Sequence, residues 1–153
     1  MKAFSFRLET FLHLKEMRKK RLLVQYADSL REREKIEDRL EAKKFTLDQI
    51  RNEVSERRSF GFSGSEQATY QTSIDLVESE ILDLHSEFEN AKKIEESKKA
   101  VYLKADSEHQ SLVKLKGKRK HQHLYAEAKK EENELTDLIN SRFIFNKSLS
   151  EKS

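Results

Sequence analysis

The sequence predicts an all-α protein: a long antiparallel two-helix coiled-coil hairpin whose second helix overhangs the first. Three observations carry that prediction. The chain of 153 residues has no proline and only three glycines, so almost nothing stops a helix and the turns that β-hairpins need are scarce. Charged residues, at 39%, outnumber hydrophobic ones, at 35%, which leaves enough apolar surface for a narrow seam and too little for a globular core. Both glycines that could punctuate the chain early fall in one stretch, Phe60-Gly61-Phe62-Ser63-Gly64-Ser65.

That stretch is read as the hairpin turn, residues 60–65, between a first helix over about 5–59 and a second over about 66–145 with a frayed C-terminal tail, the whole forming a single domain. Ser63 with Glu66 three residues on fits a capping box, so the second helix should start near Ser65. In the first helix, steps of three and four from Leu23 trace Tyr26, Leu30, Arg33, Glu37, Leu40, Lys44, Leu47, Arg51 and Val54, a heptad track broken by charges. The second helix is cleaner. Tyr70, Ile74, Val77, Ile81, Leu84, Phe88 and Ala91 are consecutive seam positions, and Tyr102, Ala105 and Leu112 resume the track. A short connection makes each helix the other's antiparallel partner, with residue i roughly opposite residue 123 minus i. Phe6 then lies level with Gly117, and the second helix continues alone for roughly 40 Å, an amphipathic tail that needs a partner.

Catalytic motifs are missing from the sequence. It has no glycine-rich phosphate loop, no Gly-x-Ser-x-Gly elbow, no His-Glu-x-x-His helix and no cysteine. His121 and His123 are two apart, whereas helical metal pairs sit four apart, and His13, His85 and His109 are isolated, so no enzyme activity, metal or cofactor is expected. Cysteine-free composition suits a reducing compartment, and the absence of any long apolar run or secretory leader leads us to expect a cytoplasmic protein that does not insert into the membrane.

Charge is uneven. Lys15, Arg18, Lys19, Lys20 and Arg21 make the first residues basic, Lys114 to Lys120 with Lys129 and Lys130 do the same later, and Asp75 to Glu96 is acidic, which predicts a basic open end and an acidic middle. The basic clusters hold too few aromatics for a nucleic-acid groove, and the absence of tryptophan weakens a membrane-surface reading, so a protein partner is favoured. Phe45, Leu76 and Leu82 fall at outward heptad positions at one height. Scattered exposed apolar residues are ordinary; clustered, these three would form a docking patch.

The opening Phe4-Ser5-Phe6-Arg7-Leu8-Glu9-Thr10-Phe11-Leu12-His13-Leu14, the hairpin length, and the ending Glu131-Glu132-Asn133-Glu134-Leu135-Thr136-Asp137-Leu138-Ile139 with Arg142 resemble the FliJ family of flagellar type III export proteins over nearly the whole chain. Thr136 and Asp137 stand where that family usually has Asp and Glu. The resemblance implies a stalk similar to the γ-subunit of rotary ATPases, bound to the hexameric flagellar export ATPase and to a membrane export gate protein, with export chaperones as further partners, peripherally attached to the cytoplasmic face of the inner membrane. It assigns ring contact to Phe6, Leu8, Phe11, Leu14, Leu135, Leu138 and Arg142, joined on charge by Lys15, Arg18 and Lys19; for the gate contact it implies on the hairpin body, Phe45, Leu76 and Leu82 are the candidates by height and exposure, not by motif. The alternatives are an injectisome stalk, a nucleic-acid-binding coiled coil, which would show steeply salt-dependent affinity, and a structural homodimer.

Overall fold

The computed structural model describes residues 2–152 and consists of two helices, α1 (Glu9–Phe60) and α2 (Gly64–Lys152), joined by residues 61–63. Together they form an all-α helical hairpin. Contacts divide the chain into two units: Arg18–Ala105, which holds the turn, and Met1–Met17 with Asp106–Ser153.

In the turn-bearing unit the helices run antiparallel. Arg33 meets Glu95, Lys43 meets Glu80 and Arg51 meets Glu78, and the numbers of each pair add to between 123 and 129. All of these pairs set a base of α1 against an acid of α2, as does the looser Arg57–Glu66 pair at 4.0 Å. The acidic run Asp75 to Glu96 therefore serves, in part, to face the basic residues of α1. Exposed pairs of this kind add little each, so their main effect is on register and orientation.

The seam is thin. Ile36, Leu40, Leu47 and Val54 of α1 and Val77, Ala91 and Ala105 of α2 are buried. Tyr26, Leu30, Tyr70, Ile74, Ile81, Leu84 and Phe88 are half-buried, with the Tyr26 and Tyr102 rings 6.3 Å apart across the seam. One strand of the heptad differs from the sequence track. Tyr26, Arg33, Leu40, Leu47 and Val54 face inward, and they are joined by Leu22, Ser29, Ile36, Lys43 and Ile50, each one residue before Leu23, Leu30, Glu37, Lys44 and Arg51, of which Leu30 and Glu37 stay half-buried and the other three are exposed. The shift places Ile36 and Ile50 in the seam and lets the flanking charges reach water or a partner helix, which is the cheaper arrangement.

The turn is shorter than 60–65. Phe60 completes α1, Gly61 takes φ +80°, where an L side chain is strained, and its N–H bonds back to the Arg58 carbonyl at 3.4 Å. Ser63 is the N-cap of α2. Its hydroxyl accepts the Glu66 N–H at 3.1 Å and its carbonyl accepts the Gln67 N–H at 3.0 Å, so the helix starts at Gly64. Tyr70 locks the turn: Phe62 packs edge-on against it at 6.2 Å, Arg57 covers its ring at 5.7 Å, and its hydroxyl donates to Glu53 at 2.9 Å. In the Ser- and Thr-rich start of α2, the Thr69, Thr72 and Ser73 hydroxyls donate to carbonyls four residues back, which satisfies them within the helix.

In the other unit, α1 starts at Glu9 rather than near residue 5. The Phe6 carbonyl accepts the Glu9 N–H at 3.1 Å, the Leu8 carbonyl accepts the first helical bond from Leu12 at 2.8 Å, and Glu9 places negative charge at the positive helix end. Lys15 pairs with Glu108 and Glu9 with Lys116, again antiparallel. Gly117 does not interrupt α2, which stays helical to Lys152, beyond the expected end at 145.

Candidate partner-binding surface

Residues 2–8 run back along α2 without forming a helix. Phe6 is only 7% exposed and lies beneath the Arg119 guanidinium, 6.0 Å from its ring centre. Phe4 packs against His123 with ring centroids 5.7 Å apart, and a His123 ring nitrogen meets the Lys2 carbonyl at 2.9 Å. His123 is thus a clasp for the N-terminal segment. Phe6, expected among the ring contacts, is an internal anchor in this structure, because burying its ring removes a large apolar group from water. Leu8 is half-buried and Leu12 buried, whereas Phe11 and Leu14 are exposed, with the Lys15 ammonium 5.3 Å from the Phe11 ring. Lys15 is also tied to Glu108 at 2.9 Å.

Past this clasp α2 loses its cover. Every residue from Ala128 to Lys152 is exposed. Leu135, Leu138 and Arg142 stand on this segment and share one stripe, since offsets of three and four residues fall on one helix face. Ile139, Phe143, Ile144, Phe145 and Leu149 are exposed there too. Sequence reasoning assigned none of these five a contact. Continuation of the heptad could have found Phe145 and Leu149, which extend the steps from Leu135, Leu138 and Arg142.

In the turn-bearing unit, Arg18 is exposed and Lys19 half-buried. Phe45, Leu76 and Leu82 are 63%, 62% and 71% exposed. They do not form one patch: six residues separate Leu76 from Leu82, a net rotation of about 240°, which puts them on different sides of α2. Leu76 instead lies one turn from Glu80, which helps line an open hollow of about 540 Å³ with Arg39, Ala42, Lys43, Thr46, Asp83 and Leu84.

Among the described residues no cluster of three or more His, Cys, Asp or Glu side chains could hold a metal ion. No helix among them is long and apolar enough to cross a membrane. What the surface offers is an uncovered apolar helix face beside basic residues, which suits binding another macromolecule.

A family model described as Flagellar FliJ protein matches residues 4–148. The chain belongs to the FliJ family. No curated protein matches it, and no solved structure does. The match makes the chain a flagellar export-related protein, of a family that is a non-catalytic component of that export system. It extends from the Phe4–Phe6 anchor into the uncovered segment of α2, so it includes both the FliJ opening and the exposed stripe at Leu135, Leu138 and Arg142.

Proposed function

We propose that this FliJ-family chain is a non-enzymatic, cytoplasmic stalk of the flagellar type III export apparatus, peripherally associated with the inner membrane, which binds the hexameric export ATPase and couples its hydrolysis to export. The observation that carries this reading is the exposure of all of Ala128–Lys152 on a helix that is packed further back. A helix bearing Leu135, Leu138 and Phe145 in water is an unsatisfied surface, and a ring with an apolar, acid-lined pore would satisfy both the stripe and the adjacent Lys118, Lys120, Lys129 and Lys130. Phe11 and Leu14 would extend that contact on α1. Arg18 and Lys19 would contribute charge. The gate would meet the turn-bearing unit on the side carrying Leu76, and export chaperones would be further partners.

Coupling follows if the stalk makes different contacts in successive states of the ring, since only a differential interaction shifts an equilibrium. The test is the hydrolysis rate and oligomeric state of the cognate export ATPase with and without the protein. Stimulation that is lost in the double variant Leu135→Ala/Leu138→Ala, and reduced in Arg18→Glu, supports the reading. No stimulation and no binding would overturn it and redirect the search to salt-dependent nucleic-acid binding.

A further inference from the structure

The uncovered end of α2 is complementary to itself. One heptad phase runs through it, with Ala128, Leu135, Arg142 and Leu149 seven apart and Leu124, Glu131, Leu138 and Phe145 seven apart between them. All eight are exposed. The stripe begins at Leu124, one residue and about 100° around the helix from His123, and residues 2–8 leave its apolar members exposed while Lys2 shares an open hollow with Glu127, Lys130, Glu131 and Glu134.

Laid antiparallel on a second copy, the two tracks match layer by layer where the paired numbers add to 273. Leu135 faces Leu138, and Leu124 faces Leu149. Ala128 faces Phe145, a small residue against a large one. Glu131 faces Arg142, an acid against a base. The two-fold axis repeats every layer, giving an unbroken set over 26 residues, about 39 Å of helix. A parallel pairing in register sets Glu131 against Glu131 and Arg142 against Arg142, like charges in the seam, and is disfavoured.

We propose that a second copy of this chain covers this face, forming an antiparallel dimer through Leu124–Leu149 with reciprocal Glu131–Arg142 pairs. The dimer stands on the register alone. Its consequence for regulation rests on the ring-binding reading above: self-pairing hides Leu135, Leu138 and Arg142, so the dimer is a reserve form that the ATPase ring must dissociate.

The test uses the full chain without the ATPase, so its failure leaves the stimulation assay to be judged by itself. Sedimentation equilibrium over a hundredfold range of concentration should show a shift from monomer to dimer mass. Glu131→Arg and Arg142→Glu should each weaken association by roughly tenfold or more, and the double variant should return most of it. Glu131 also has a contact within its own chain, which both Glu131→Arg and the double variant disturb, so the rescue isolates the seam. The chain has no cysteine, which permits a clean register probe. Leu124→Cys mixed with Leu149→Cys should form a disulfide-linked dimer on mild oxidation, while either alone should not, its two thiols being about 37 Å apart in this register. A monomer throughout the range, failure of the charge swap to rescue, or self-linking of Leu124→Cys alone would each overturn the proposal.

Discussion

Arg33 on α1 donates through Nε to Glu95 on α2 at 2.6 Å and through Nη1 to Glu37, one turn further along its own helix, also at 2.6 Å. The Glu95 hydrogen bond is the main cause that raises the Arg33 pKa above its already high ordinary value. At 21% and 15% exposure, the Arg33 and Glu95 side chains are more enclosed than Arg51 and Glu78, at 54% and 45%. Arg33→Ala should therefore lower the thermal midpoint more than Arg51→Ala does. Calorimetry of the two variants measures this, and an equal or reversed order would mean that the greater enclosure of Arg33 and Glu95 does not strengthen their pairing.

Leu40, 4% exposed, sits where the seam is tightest. Leu40→Ala should cost about 2–3 kcal/mol, the low end for buried leucines because a two-helix seam can close on the gap. Leu82→Ala, at an exposed site, should stay within about 0.5 kcal/mol. Urea unfolding monitored by circular dichroism reads both, and a shared small effect would mean that Leu40 is not core.

The glycines predict opposite signs. Gly61→Ala should destabilise the turn by roughly 1 kcal/mol because φ +80° strains an L residue, although an added Cβ would meet nothing within 4 Å. Gly117→Ala, in mid-helix with equally open space, should stabilise by about 0.5–1 kcal/mol. Melting curves of the two variants should move in opposite directions.

Tyr70 gives a pH signature. Its hydrogen bond to Glu53 is the largest cause of a phenol pKa raised above the usual 10.0. A folded pKa above the unfolded one means that the contribution is complete below about pH 10 and is lost as pH rises through the folded value. The tyrosinate absorbance missing from Tyr70→Phe should titrate above pH 10 in the native protein. Glu53→Gln should bring that titration down, and an unchanged midpoint would remove Glu53 as the cause.

Much of the fold was legible in the sequence because helix-breaking residues are so few: Gly61, Gly64 and Ser63 mark the turn unambiguously, and the apolar track of α2 is nearly unbroken from Tyr70 to Ala91. The phase of α1 was less so. With apolar residues sparse, a track through Glu37, Lys44 and Arg51 and one through Ile36, Lys43 and Ile50 share Leu40, Leu47 and Val54, and only the two isoleucines, fourteen apart, separate them. The candidate surface was legible as residue types but not as exposure. Nothing in the opening motif says that Phe6 turns inward under Arg119 while Phe11 remains open.

The uncovered end of α2 continues a helix that is already packed upstream at Ala105. Starting a helix is the costly step and lengthening one is cheap, so this segment extends from a formed nucleus instead of having to create its own. Its opening should be graded, with backbone amides exchanging with solvent progressively faster from Ala128 toward Lys152. A partner that grips only the first turns past Ala128 meets nearly preformed structure, and one that reaches the last turns must also order them. Substitutions on the solvent side that alter only helix propensity should consequently tune affinity without touching any partner.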